Sequence, residues 1–392
     1  MTTDTDIVVV GGGPAGLAAA CALGAEGIAV TLLDPGPGTV PEDDNRTAAI
    51  LQPGRDLLDR AGAWDGMATD ATPLCVMRMV DARADPPVTR DFASGDVTDG
   101  PFGWNVANAA IRRALLDRAA ALDTVDLRWS TGFADMLARD AHAIVRSDGG
   151  ERIRTRLVLG CDGRDSAVRR AAGIGARRVT YDQTALVFTV AHDAPHGDVS
   201  TEVHDTGGPF TLVPMPDLPD GTHRSSVVWM DAAAVQRERM GMDDDALSAR
   251  ATERSAGANG ALRVLTRPVA WPISTTGATA ITARRTALAA EAAHAMPPIG
   301  AQGLNTSLAD IRVLRDLALA DRDAIGTRPY LQAYARQRHP DIVARLLGID
   351  LLNRTSIAGS GPLAFLRGPG IRTLHDLPLL RRTVMRMGMG AA

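Results

Sequence analysis

The sequence predicts an α/β protein in three parts: a Rossmann-like dinucleotide-binding domain, an interleaved and mainly antiparallel β-sheet domain, and C-terminal helices. Three observations carry that prediction. The chain opens on strand, glycine-rich loop, helix and strand. From about 180 to 274 the pattern changes to short extended runs separated by turn signals. Past 300, helical periodicity returns over long stretches.

Taken in order, Ile7 to Val10 is a β-branched run that reads as a buried parallel strand. Pro14 stands where a first-turn proline belongs, so Ala15 to Glu26 reads as a helix. Ile28 to Leu33 is the second strand and ends at Asp34, before a Pro/Gly-rich loop from Pro35 to Asp44. Pro53 to Ala61 and Ala109 to Ala121 read as helices, and between them, around 75–100, the periodicity fades. Arg154 to Gly160 is strand-like and delivers Asp162 at its C-terminal end. Ala185–Ala191, Phe210–Met215 and Ser226–Met230 are extended runs of the inserted sheet, interrupted by one helix at about Asp243 to Ser255. Ala287 to Ala293 resumes the first domain, with Glu291 expected at a strand end. Leu304 to Leu319 and Tyr330 to Asn353 are helical, the second behind the start signal of Pro329.

Composition sets limits on function. A chain of 392 residues, 45% hydrophobic and 22% charged, can bury a large core and build two domains. The net charge of −4 argues against nucleic acid as a partner. All 42 basic residues are Arg, which looks like coding bias rather than chemistry. Cys21, Cys75 and Cys161 are too few and too scattered for a disulfide framework or a zinc site, so a reducing compartment and no metal are expected. The N-terminus enters a strand without a basic leader, and no apolar run of about 18 residues occurs. The expected location is cytoplasmic.

Three fragments carry chemistry. In Gly11-Gly12-Gly13-Pro14-Ala15-Gly16 the first glycine of the motif, Gly11, makes the tight turn. Gly13 lets a pyrophosphate approach the backbone, and Gly16 packs helix against strand. The helix N-terminus meets the phosphate charge. Asp34, 18 residues past Gly16, can accept hydrogen bonds from an adenosine ribose. This loop alone does not separate NAD from FAD. The second fragment, Asp162-Gly163, places an acid beside uncrowded backbone, although by itself it is a turn. In the third, Glu291 precedes Pro297-Pro298, and Gly300-Ala301-Gln302-Gly303 then opens a helix with Leu304 and Asn305. Small residues there expose N–H groups at a positive helix end, which suits the N1–C2=O edge of a reduced isoalloxazine. Outside these fragments His294 reads as structural, His204 and His223 as surface histidines, and Trp104, Trp229 and Trp271 as packing residues.

In this order and at these separations, the fragments resemble the dinucleotide loop, Asp-Gly motif and Gly-Asp motif of single-component flavoprotein aromatic hydroxylases, the para-hydroxybenzoate hydroxylase class. Within that class the chain is most similar to ubiquinone-biosynthesis hydroxylases. Asn45-Arg46-Thr47-Ala48-Ala49, Pro214-Met215-Pro216 and the C-terminal Leu377-Pro378 and Arg386-Met387-Gly388-Met389 extend that likeness over essentially the whole chain. The resemblance implies a FAD-binding domain, with boundaries drawn at 1–74, 101–178 and 275–330. It also implies a substrate-binding sheet domain at 75–100 and 179–274, followed by a C-terminal helical region at 331–392.

Carried over by residue, the resemblance gives the ADP half of FAD to Gly11, Gly13, Pro14, Ala15, Gly16 and Asp34. Arg46 would lie along the cofactor, and Asn108 and Arg112 would touch its ribityl and pyrophosphate. Asp162 and Gly163 would support both FAD and a transient NADPH or NADH. Glu291 would meet the ribityl and pyrophosphate region, with the backbone of Pro298, Gly300, Ala301, Gln302, Gly303, Leu304 and Asn305 against the flavin ring. Two departures stand out: Ala290-Glu291 replaces the usual Gly-Asp, and Pro-Ile-Gly-Ala-Gln-Gly permutes the usual Pro-Ile-Ala-Gly-Gln-Gly.

The implied reaction uses FAD, a nicotinamide coenzyme and O2 to hydroxylate the ring of a polyprenylated phenol through a flavin C4a-hydroperoxide. No residue in the sequence identifies itself as the base for that phenol. The same chemistry on another aromatic, catabolic or natural-product, stays open, as does a flavin-fold subunit scaffolding a quinone-pathway complex. A related flavoprotein that reduces isoprenoid double bonds is a further rival. A halogenase would need a catalytic lysine, and the chain has none. The basic tail holds Arg354, Arg367, Arg372, Arg381, Arg382 and Arg386 against a single acid, Asp376. It reads either as a solvated face or as a contact with the anionic inner membrane or a partner enzyme.

Overall fold

The computed structural model describes residues 2–41, 44–84, 86–357, 382, 383, 385 and 388. Strand β1 (Thr2–Val10), helix α1 (Pro14–Gly24) and strand β2 (Val30–Leu33) form the opening unit. β1 runs parallel to β2 on one side and to the strand Arg152–Gly160 on the other. Val125–Arg128 extends this sheet beyond β2, and Thr286–Leu288 extends it beyond the 152–160 strand. Ile7 through Val10 are buried, as expected of a parallel sheet covered on both faces. α1 buries Gly16 through Gly24 without a polar face, because it is packed against the helices Asn108–Ala120 and Gln302–Ala320 as well as the sheet.

A second sheet of nine strands is built around the 17-residue strand Ala176–His192. That strand pairs antiparallel with His223–Ala232 and with Val269–Ala278. Beyond His223–Ala232 follow Pro209–Met215, Val199–His204, Val76–Asp81 and Val88–Ala93. Only the pairing of Val76–Asp81 with Val199–His204 is parallel. Side chains alternate between faces. One face carries Leu186, Phe188, Val203, Phe210, Leu212, Val227 and Trp229 into a cluster with Leu247 and Ala251 of the helix Asp244–Arg254. The other carries Ala185, Met230 and Ile273 against Met296, Ile299 and Ile349. A three-stranded sheet, Thr47–Leu51, Thr72–Leu74 and Gly103–Ala107, adjoins the strand Pro209–Met215 of this sheet. Asn105 fixes the junction by donating Nδ2–H to the Pro214 carbonyl at 2.8 Å.

The structure corrects several expectations. The stretch where periodicity fades forms the hairpin 76–93, whose strands are too polar and too short to show a clear pattern. Two helices, Ala233–Met240 and Asp244–Arg254, interrupt the second sheet rather than one. Glu291 ends no strand: the strand stops at Leu288, and Glu291 sits in the 3-10 turn Ala290–Ala292. The helix after the Pro-Pro pair begins at Gln302, with Gly300 and Ala301 both left-handed before it. His204 is buried, not superficial. Arg367, Arg372, Arg381, Arg386, Leu377, Pro378, Met387 and Met389 lie outside the described residues, so the tail's two readings are untouched. Among the described residues no helix is long and apolar enough to cross a membrane.

Candidate functional site

The glycine loop is shaped by backbone contacts that exclude side chains at two of its positions. Gly11 has φ of +107°, and a Cβ there would lie 2.4 Å from the Cys161 carbonyl oxygen. A Cβ at Gly16 would lie 1.8 Å from the Gly11 carbonyl oxygen, so α1 can approach β1 only through a glycine. Gly13 is different. It caps α1 in extended conformation, and a Cβ there would meet no atom within 4 Å. Asp34 accepts hydrogen bonds from the Gly12 N–H at 2.5 Å and the Gly36 N–H at 2.7 Å, holding the loop against the end of β2. The Trp129 ring covers this end, since Cβ atoms at Gly12 and Gly38 would both collide with it.

Asp162 lies beside the loop, following the strand parallel to β1. Its carboxylate accepts from the Ser166 hydroxyl at 2.5 Å and the Val168 N–H at 3.0 Å, which fixes the start of a short helix. Gly163 next to it has φ of +79° and open space on its Cβ side. Arg164 then reaches Glu291, donating from Nε and Nη2 to Oε1 at 3.1 and 3.0 Å. The two motifs are therefore joined by an ion pair, in a half-exposed position that limits its worth to about 1 kcal/mol or less.

Arg46 and Asn108 meet through an acid that sequence reasoning missed. Asp44 receives a bidentate pair from Arg46, both bonds 2.7 Å, and a hydrogen bond from the Asn108 side chain. Burial opposes ionisation of Asp44, yet the Arg46 bonds outweigh it and hold the carboxyl below its ordinary range. The Arg46 guanidinium also lies 4.4 Å from the centroid of Trp271, which is 37% exposed. Trp271 belongs to the second sheet and Arg46 directly precedes Thr47–Leu51, so this stack joins the second sheet to the small three-stranded one. The Asp-x-Arg spacing of Asp44 and Arg46 was the available signal for this group.

The third fragment is held from beneath. Asn305 accepts from the Leu51 N–H at 2.8 Å and donates to the carbonyls of Ala49 and Ala301, both at 2.7 Å. Its side chain clamps the loop to the small sheet, and Leu304 packs into the core below. Gln302 donates to the Gly300 carbonyl and accepts from Arg345 of the helix Arg328–Ile357. Pro298, Gly300, Ala301 and Gly303 remain exposed at the surface of this turn. Behind it lies a buried ion cluster. Asp310, 0% exposed, accepts from His294 Nε2 at 2.7 Å, Arg338 Nε at 2.8 Å and the Ala290 N–H at 3.2 Å. Burial raises its pKa, but His294 and Arg338 lower it further, leaving the carboxyl below the usual range. His294 is structural, as its sequence context suggested. The partners of Asp310 come from distant segments, and no spacing announces them.

The residues present fit a dinucleotide pyrophosphate on three counts. Gly13 leaves open space that a Cβ would occupy. The first turn of α1 contains no acidic residue and its cap contributes no side-chain hydrogen bond, so its N–H groups face outward unopposed. Arg112, on the helix packed against α1, has a buried Nε without a hydrogen-bond partner among the described residues.

Fold and loops together define a dinucleotide-binding α/β protein with a second, small-residue helix start facing the inserted sheet. The chain belongs to the FAD binding domain family, whose model matches residues 4–346. It is 32% identical over 395 residues to a Rhodospirillum rubrum protein named ubiquinone hydroxylase UbiL, covering 98% of this chain and 89% of that one. An Escherichia coli protein named 3-demethoxyubiquinol 3-hydroxylase is 28% identical, with 98% of both chains covered. Among solved structures, p-nitrophenol 4-monooxygenase PnpA from Pseudomonas putida DLL-E4 shares the fold with a TM-score of 0.79. Its sequence identity is 22%, with 98% of this chain and 97% of that one covered.

Proposed function

We propose that this protein is a FAD-dependent monooxygenase that hydroxylates the ring of a polyprenylated phenol in ubiquinone biosynthesis, using NADPH or NADH and O2. The observation that carries this reading is the near full-length match to proteins named as ubiquinone hydroxylases. Bound FAD, once reduced, would activate O2 and supply the oxygen atom. The chain does the rest. The Gly11–Gly16 loop and Arg112 would hold the pyrophosphate, and Asp34 would set the loop toward the ribose. The exposed N–H groups of Gly300–Gly303 would meet the flavin's electron-rich edge. Arg46 would lie along the cofactor, keyed to Asp44 and Trp271. The second sheet and the 296–299 segment would wall the reacting ring from water.

A prenylated substrate dissolves in lipid, and the Arg-rich tail supports a peripheral position at the inner membrane. Mass spectrometry of the lipid extract from a host lacking this gene tests the reading. A prenylated phenol short of ring oxygen should accumulate and convert to quinone when the gene returns. An unchanged ubiquinone pool would exclude this substrate, leaving another aromatic. Absence of flavin-dependent coenzyme oxidation by the purified protein would favour a scaffold.

A further inference from the structure

We infer that the buried pair Glu202–His204 accepts the proton of the substrate's ring hydroxyl, supplying the base that no sequence motif announces. The inference rests on the phenol reading above. Both residues lie on the strand Val199–His204, two apart and so on one face, opposite Val203 in the apolar cluster beneath the helix 244–254. Glu202 is 5% exposed and His204 7%. His204 Nε2 lies 2.7 Å from Glu202 Oε1, but off the direction in which the ring nitrogen bonds. The nitrogen is therefore buried without a hydrogen bond among the described residues. A buried polar atom in that state calls for a partner.

The register of the sheet places this pair on the side facing the site. Across the strands, His204 pairs with Pro209, the Phe210–Trp229 pairing puts Met230 next in the row, and Met230 pairs with Ala185, which pairs with Trp271. Met230 and Ala185 pack with Met296 and Ile299 of the Pro-Pro loop, and Trp271 stacks on Arg46. The next row runs Glu202, Thr211, Val228 and Val187. Thr211, Val213 and Val228 stay partly exposed between the pair and that loop. At roughly 4.8 Å per strand, His204 stands about 10 Å from the Met230 strand, with the strand Pro209–Met215 between them. Ser226, on the same face, has a buried hydroxyl that also lacks a partner among the described residues.

The proton transfer is simple. The phenolic O–H bond breaks, an N–H bond forms on the His204 imidazole, and the Glu202 carboxylate stabilises the imidazolium. The resulting phenolate is the more electron-rich acceptor of oxygen; as the ring regains aromaticity the proton returns to the phenolic oxygen, and the C–H proton lost at the hydroxylated carbon leaves with the second oxygen of O2 as water. The other titratable groups near His204 are Asp205 on its own segment, and Asp81 and Arg83 from the adjoining parallel strand and its turn. The neighbouring strand Pro209–Met215 contributes none.

The test uses the flavin-loaded protein and an ortho-prenylated phenol carrying one isoprene unit. Ionisation of the bound phenol is followed by phenolate absorbance across pH, alongside the pH profile of kcat/KM. Wild type should lower the apparent pKa of the bound phenol by at least about one unit, tenfold in its ionisation constant. H204Q should lose that shift and lose about 100-fold in kcat/KM near neutrality. Its rate should recover as pH rises and the phenol ionises unaided. E202Q should lie between the two, and it carries the test if H204Q does not fold. Equal ionisation and equal pH profiles in wild type and variants overturn the role of the pair, while turnover of the phenol by wild type keeps the functional reading. A wild-type holoenzyme that binds no such phenol overturns both.

Discussion

At the scale of single residues, the glycine loop separates a structural glycine from a functional one by what each missing Cβ would touch. At Gly16 a methyl would collide with the Gly11 backbone, which cannot yield without moving α1 off β1. At Gly13 a methyl would meet nothing, and the backbone there, φ −73°, suits alanine. G13A should therefore keep its fold and unfolding temperature within the small range of surface changes, yet lose FAD because the methyl occupies the phosphate's place. G16A should lose stability outright. Circular dichroism melting beside flavin absorbance of the purified variants separates the two effects. If G13A purified fully yellow, the pyrophosphate assignment at this loop would fail. Gly11 and Gly16 were legible because backbone contacts there demand glycine. Asp44, Trp129 and Arg164 were not, because each acts through a side chain that only the folded chain brings to the site.

At the scale of elements, the start of the helix Gln302–Ala320 shows what the sequence's permutation costs. Gly300 and Ala301 have φ of +64° and +57°, so the second left-handed residue is an alanine where the related pattern places glycine. Ala290, which replaces the glycine before the acid, has φ of +55° and is held there by its N–H bond to Asp310. A left-handed non-glycine residue costs about 1–2 kcal/mol, and glycine's greater unfolded-state freedom returns roughly 0.5–1 of that. A301G should thus stabilise the protein by about 0.5–1 kcal/mol in urea unfolding. A decrease would mean that the alanine methyl makes a packing contact worth more than the strain. The longer helices were readable to within a few residues because their start signals and apolar periodicity are local, whereas Ala233–Met240, which has no capping side chain, was not. The hairpin 76–93 and the length of the 176–192 strand were hidden, since polar residues such as Arg177, Arg178 and Asp182 break the alternation until neighbouring strands supply the pattern.

At the scale of the whole molecule, one buried charge ties the parts together. Asp310 on the 302–320 helix binds His294, whose short strand pairs with Val269–Ala278 of the second sheet. It also binds Arg338 on the C-terminal helix, and Arg338 continues to Asp341, then Arg345, then Gln302 at the start of the 302–320 helix. The Ala290 N–H brings in the turn that carries Glu291. The carboxyl's folded pKa lies below its unfolded value, so the unfolded chain binds the proton more readily. The stability Asp310 contributes is therefore complete above the ordinary carboxylate range and is lost as pH falls through its lower, folded value. Asparagine at this position keeps the shape but removes the charge, leaving the buried Arg338 with only the half-exposed Asp341 as counterion, at a cost of up to about 3–5 kcal/mol. Urea unfolding of wild type and D310N from pH 7 down through the carboxylate range should show a large gap at neutrality. That gap should narrow toward acid, because wild type loses what the variant has already lost. A gap of equal size at every pH would assign Asp310's contribution to shape and hydrogen bonding rather than charge. Because the same cluster reaches Gln302 through Arg345, D310N should also weaken FAD binding even where the protein remains folded, read as a raised Kd by flavin fluorescence quenching.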